Sequence, residues 1–107
     1  MELKVRIDEQ TDDVVWVYVE GDVNIHTSPD LRAKLKPLFA KSGGIIHVDL
    51  SGVSFMDSSG IATLVEGLQW ARGVNGTFTL HHLQETVKDI FILAKLDAVF
   101  DIAGMDA

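Results

Sequence analysis

The residues best suited to chemistry in this 107-residue chain are the adjacent Ser58 and Ser59, preceded by Asp57 and followed by Gly60. They follow an apolar run at Val48-Asp49-Leu50 and a short loop, and they open a segment with helical spacing. A hydroxyl at a helix start meets two conditions that favour carrying a phosphate. The first N–H groups of a helix have no internal partner, and the macrodipole leaves partial positive charge there. In open α/β sheets, functional loops also gather beyond the carboxyl ends of strands. The same residues have a plain structural use, with Asp57 or Ser58 as an N-cap and Gly60 as a steric convenience. Spacing alone leaves both uses open.

Other chemistries find less support. A nucleophilic Ser58 lacks the Gly-x-Ser-x-Gly surround and has no histidine in an obvious base position. There is no Gly-x-x-x-x-Gly-Lys loop for nucleotide phosphates. The four histidines are His26, His47, His81 and His82. His81 and His82 are neighbours on an expected strand end, so their side chains point to opposite faces and cannot chelate together. With no cysteine and no His-Glu-x-x-His spacing, the histidines read as surface residues, and neither a metal nor any other cofactor is expected.

The elements that must position Ser58 follow from periodicity. Leu3, Val5 and Ile7 alternate with Lys4, Arg6 and Asp8, which predicts a half-buried strand. Thr11-Asp12-Asp13 is a turn, and Val14 to Val19 is a strand apolar on both faces, hence central and hairpin-paired to the first. Gly21 to Thr27 is a loop. Thr27, Pro29 and Asp30 form a helix start, with Thr27 as cap and Pro29 where its missing N–H costs nothing. Leu31, Leu35, Leu38 and Phe39 then share one face, Pro37 should kink or shorten the helix, and Ser42-Gly43-Gly44 ends it.

Ile45 to Leu50 is the next strand, and a helix from about Ser58 to Arg72 follows, with Ile61, Leu64, Val65 and Leu68 as its core stripe. Ser59, Thr63, Glu66 and Trp70 fall on the other side of that helix. Trp70 there is either covered by another element or open to a partner, since Trp is enriched in interfaces. Gly67 within the helix costs roughly 1 kcal/mol relative to Ala, which close approach of another backbone would explain. Thr77 to His82 is a strand, and Gln84 to Lys95 a helix with Val87, Ile90, Phe91 and Ala94 inward. A short strand or turn lies near Val99 to Ile102. Strands alternating with helices after an opening hairpin predict an α/β layer fold: a mixed, partly parallel sheet of four to five strands with three to four helices.

Hydrophobic residues make up 47% of the chain, which argues for a packed core over disorder. No repeat or linker divides it, so residues 1–107 are read as one domain. The first ten residues carry charges of both signs with no apolar core of a signal, and the longest apolar run, Val14 to Val19, is too short to span a bilayer. A soluble cytoplasmic protein is the expectation. The net charge of −7 disfavours nucleic acid and anionic membrane surfaces as partners and fits a protein partner, though solubility alone would account for it.

The segment Phe55-Met56-Asp57-Ser58-Ser59-Gly60-Ile61 resembles the signature of the STAS domain family, which includes bacterial anti-sigma-factor antagonists. Gly21-Asp22-Val23-Asn24 is similar to the family's turn after the second strand, and Leu93 to Ile102 to its closing segment. The likeness spans roughly residues 3–103. It implies a binding protein without enzymatic activity, a monomer or weak dimer that works by partner switching in transcription regulation. The unmodified form would bind an anti-sigma factor that is also a serine kinase and so free a sigma factor. The kinase would phosphorylate Ser58 and end binding, and a phosphatase would reset the phosphoprotein. Asp22, Asn24, Asp57, Ser59, Gly60, Thr63, Glu66 and Trp70 would form the partner-binding surface. Asn24 departs from the family, where Asp is common, and that loss of charge bears on kinase docking. A second implied use is a docking subunit of a lipid ABC transporter or a stress-signalling assembly, without phosphoserine chemistry.

Overall fold

The computed structural model describes residues 3–11, 13–41 and 44–104. Asp12 of the first turn, and Ser42 and Gly43 of the helix-ending segment, lie outside them. Five strands form one sheet whose order follows the chain: β1 (Lys4–Glu9), β2 (Val14–Glu20), β3 (Ile45–Gly52), β4 (Thr77–His81) and β5 (Asp101–Ile102). β1 and β2 are antiparallel, while β2, β3, β4 and β5 are parallel to one another. Three α-helices join the parallel strands: α1 (Ser28–Lys41), α2 (Ser58–Gly73) and α3 (Glu85–Leu93), the last followed by a 3-10 turn at Leu96–Ala98. The α/β architecture and the mixed sheet are those the sequence predicts.

Strand order that follows chain order lets every right-handed crossover fall on the same face of the sheet. The burial pattern agrees. Val15, Val17 and Val19 of β2, Ile46, Val48 and Leu50 of β3, and Phe78 and Leu80 of β4 are buried under the helices. The alternate residues, Trp16, Tyr18, His47, Thr79 and His81, are only half-buried. α1 contributes Leu31, Leu35, Leu38 and Phe39 to the core, the expected stripe. The helix runs unbroken through Pro37, which therefore does not shorten it. Pro37 and Ala33, four residues earlier, both lie on the exposed face, so the carbonyl that loses its helical donor faces water.

α2 departs from its expected seating. Its buried residues are Gly60, Thr63, Leu64, Gly67 and Ala71, whereas Ile61, Val65 and Leu68 are only partly covered. The helix rests on its small residues because Phe78 rises from the sheet into that face: a Cβ on Gly67 would stand 2.7 Å from Phe78 Cζ. Gly67 is thus required by a side chain and not by a neighbouring backbone. α3 ends earlier than expected, since Lys95 adopts a left-handed conformation with φ of 59°. Val87 and Phe91 are buried, but Ala94 is exposed and Ile90 only half-buried.

Candidate functional site

The two loops beyond the carboxyl ends of β2 and β3 are joined to each other. Gly21 N–H donates to the Gly52 carbonyl at 3.0 Å, Val23 N–H to Phe55 at 3.0 Å, and Asp57 N–H to Val23 at 3.1 Å. Val23 and Met56 form an isolated parallel bridge there, both fully buried. This pairing brings Asp22, Asn24 and Ile25 beside the start of α2. Gly60 lies where the two loops meet beneath the helix, and a Cβ on it would fall 2.7 Å from both Met56 Cγ and Val23 Cγ1.

Asp57 is the N-cap of α2. Its Oδ1 accepts from Ser59 N–H at 2.9 Å and Gly60 N–H at 3.4 Å, and from the Ser59 hydroxyl at 2.5 Å. The Ser59 hydroxyl does most to hold the Asp57 carboxyl below the usual carboxylate range; partial burial opposes it, and the N–H groups of Ser59, Gly60 and Ile25 add to it. Ser59 is thereby committed to the cap. Ser58, next to it at the first helical position, is exposed. Of the two adjacent hydroxyls, Ser59 is bonded to Asp57 and Ser58 is the exposed one.

The cap carries a pH signature. A folded pKa below the unfolded Asp value of about 3.9 means its contribution is complete above that value and is lost as pH falls through the folded pKa. The Ser59 and Gly60 amide protons are therefore expected to titrate together, in NMR spectra, with a midpoint below that of a free Asp. The Asp57→Ala variant should lack this transition and unfold at lower temperature. A shared midpoint at or above the free value would contradict the assignment.

Asn24 is committed to the start of α1. Its Oδ1 accepts from His26 N–H at 2.8 Å and Thr27 N–H at 3.1 Å. The Thr27 hydroxyl turns back into the loop, accepting from Asn24 N–H at 2.9 Å and donating to the Asp22 carbonyl at 2.7 Å, so it does not cap α1 as expected. An Asn oxygen accepts these bonds as an Asp oxygen would, and the loop shape does not need the charge. The Asp22 carboxylate accepts from the Ser54 hydroxyl at 3.5 Å, a side-chain link between the loops beside the three backbone ones.

Glu66 and Trp70 face α1. Thr63 is buried, with its hydroxyl donating to the Ser59 carbonyl at 3.1 Å. Glu66 accepts from Arg32 Nε at 3.0 and 3.2 Å. Trp70 packs against Phe39 with ring centroids 5.8 Å apart, and the Arg32 guanidinium lies over its ring. Trp70 is thus partly covered by another element, one of the two alternatives the sequence leaves open. What sequence reasoning missed is the apolar surface beside Ser58: Ile25 is 69% exposed and Phe55 49% exposed, one on each joined loop. The only available signal was a large apolar residue in each loop without a periodic partner.

Below the loops, Asp49 is nearly buried and accepts from Ser51 N–H at 2.9 Å, with His82 Nδ1 at 2.8 Å from its other oxygen. Burial raises the Asp49 pKa, but the bonds from Ser51 and His82 outweigh it and leave the carboxyl below its usual range. Gln84 and Thr86 donate to the carbonyls of Ser51 and Ser54, tying the start of α3 to the same loop. Among the described residues, no group of three or more His, Cys, Asp or Glu could hold a metal ion, and no helix is long and apolar enough to cross a membrane.

A one-sided α/β layer whose central helix opens at an exposed serine, capped by the preceding aspartate, defines a recognisable class. A family model described as "Mlab, STAS domain" matches residues 7–103, and the chain belongs to the STAS domain family. It is 28% identical to the anti-sigma-B factor antagonist of Bacillus subtilis over 103 residues, covering 95% of this chain and 94% of that protein. It is 31% identical to the anti-sigma-B factor antagonist of Staphylococcus epidermidis over 97 residues, covering 88% and 79% respectively. The crystal structure of an anti-sigma factor antagonist from Mycobacterium paratuberculosis superposes with a TM-score of 0.85 at 23% identity, over 97% of this chain and 87% of that one. At that identity the structural likeness speaks to fold.

Proposed function

We propose that this protein is an anti-sigma-factor antagonist whose unmodified form binds an anti-sigma factor that is also a serine kinase, and whose binding is ended by phosphorylation of Ser58. The observation that carries this reading is the division of labour between the two serines: Ser59 is held by Asp57, while Ser58 is exposed at a helix start. The names of the sequence relatives support the partner class. Ile25 and Phe55 supply apolar contact area beside Ser58, and Asp22 and Asp57 supply acidic groups. Such a surface suits a partner that is apolar at its centre and basic at its rim. The protein acts by binding in the cytoplasm, with no catalytic group of its own, and a phosphatase restores the unmodified form.

A phosphate on Ser58 would add a charge of about −1.5 to −2 at pH 7. The N-terminus of α2 can accept it locally, so the fold survives. Asp57 and Asp22 offer it no counter-charge, so burying it against a partner becomes unfavourable. The test is mass spectrometry, on intact protein and peptides, after incubation with ATP and the kinase-like anti-sigma factor encoded nearest its gene. One phosphate, on Ser58 and absent from Ser58→Ala, is the expected result. No phosphate from a kinase shown to be active would turn the reading to a docking module that works without modification, such as a transporter or stress-assembly subunit.

A further inference from the structure

The face of the sheet away from the helices carries a histidine pair that the switch does not use. Trp16 and His47 are register partners across β2 and β3, and Asp49 and His81 are register partners across β3 and β4. All four side chains therefore project from the same face. His47 Nδ1 and His81 Nε2 stand 2.8 Å apart. Trp16 packs on both rings, with centroids 4.5 Å from each.

Two neutral imidazoles at this distance share one hydrogen, and the same two nitrogens can instead hold a metal ion. Two metal–nitrogen bonds of about 2.05 Å at a right angle separate the nitrogens by about 2.9 Å, whereas a tetrahedral angle needs about 3.3 Å. The observed spacing lies nearer the right-angled value that Cu(II) and Ni(II) favour with nitrogen and oxygen ligands, and a turn of the rings would aim both nitrogens off the N···N line at the ion. The same face carries negative charge, since Asp49 is the register partner of His81 and Asp101, the register partner of Thr79, accepts from its hydroxyl at 3.3 Å.

We propose that His47 Nδ1 and His81 Nε2 form a two-nitrogen chelating site for a transition-metal ion of the Cu(II)/Ni(II) class on the open face of the sheet. Water completes the coordination from the solvent side. An ion there would tie β3 to β4 and place a quenching centre against Trp16.

The experiment is a titration of tag-free, full-length protein with CuCl2 at neutral pH, read by tryptophan fluorescence in a Trp70→Phe background so that Trp16 is the sole reporter. Quenching at micromolar Cu(II) is expected, and His47→Gln or His81→Gln should each raise the half-quenching concentration at least about tenfold, because one ligand of a chelate is lost. His26→Gln should change nothing. Paramagnetic broadening of the Trp16 indole proton in the unsubstituted protein gives the same reading if Trp70→Phe perturbs folding. Quenching and broadening that persist equally in His47→Gln and His81→Gln, or that need millimolar copper, would overturn the proposal and leave the pair holding only a proton.

Discussion

Replacing Ser58 by Asp is expected to weaken binding to the anti-sigma partner at least about tenfold, a loss of about 1.4 kcal/mol or more, while leaving the melting temperature of the free protein close to unchanged. Ser58 is exposed and holds nothing in place, so the fold has little to lose. A carboxylate there also sits at the positive end of α2, where negative charge is tolerated. Across an interface the balance reverses. The new charge would lie at the helix start that the loops of Ile25 and Phe55 adjoin, and their exposed apolar groups have value to a partner only when water leaves them. Desolvating a charge there, next to Asp57, brings no compensating bond. Ser58→Ala should bind like the unmodified chain and accept no phosphate. Calorimetric titration, with circular dichroism melting as the folding control, separates the cases. Equal affinity of Ser58→Asp and the parent chain would remove the switch from the model, and lost affinity with a collapsed melting curve would trace the effect to folding.

Phe78→Ala is expected to cost about 3–5 kcal/mol of unfolding free energy, as for truncation of a fully buried aromatic ring. The ring is buried between β4 and α2 and lies 6.0 Å, centroid to centroid, from Phe39 of α1, so its loss leaves a void shared by two helices. The complementary change, Gly67→Ala, pushes a methyl group into the same ring. Overpacking there costs about 1–3 kcal/mol, offset by about 1 kcal/mol of gained helix preference. Gly67→Ala combined with Phe78→Leu should be less destabilised than the sum of its single variants, because the smaller side chain makes room for the methyl. Urea unfolding at constant m-value measures the parent and all four variants. A loss below about 1.5 kcal/mol for Phe78→Ala would mean that α2 is not seated by that ring.

The parts of this structure legible in the sequence are those where large apolar residues recur with a regular period. The alternation of Leu3, Val5 and Ile7 marked β1, and the spacing of Leu31, Leu35, Leu38 and Phe39 marked the buried face of α1. The seating of α2 was not legible, because its buried face consists of Gly60, Thr63, Gly67 and Ala71 around Leu64, and small residues leave almost no hydropathy signal. Their burial follows from Phe78, a residue on another element. The start of α3 was within one residue, but its end depended on the backbone turn at Lys95, which no side-chain pattern announces.

For the candidate site, Asp57-Ser58-Ser59-Gly60 was visible as a helix start, and its likeness to a family motif drew attention to Ser58. The commitment of Ser59 to Asp57, which distinguishes two chemically identical hydroxyls, needed three-dimensional geometry. The joining of the loops through Val23 and Met56, 33 residues apart in the chain, was equally invisible. So was the meeting of His47 and His81, since strand register and not sequence distance brings them together.

The strand order of the sheet has a consequence for how the molecule is made. Each strand from β2 onward lies beside the one that precedes it in the chain, so none must be inserted between partners already joined. A chain emerging from the ribosome can close the β1–β2 hairpin first, then add β3 with α1, β4 with α2 and β5 with α3, each unit docking on an edge already present. The loops after β2 and β3 meet when β3 joins β2. The frame that receives the start of α2 is therefore in place at the second step of growth, before β4 and β5 are added.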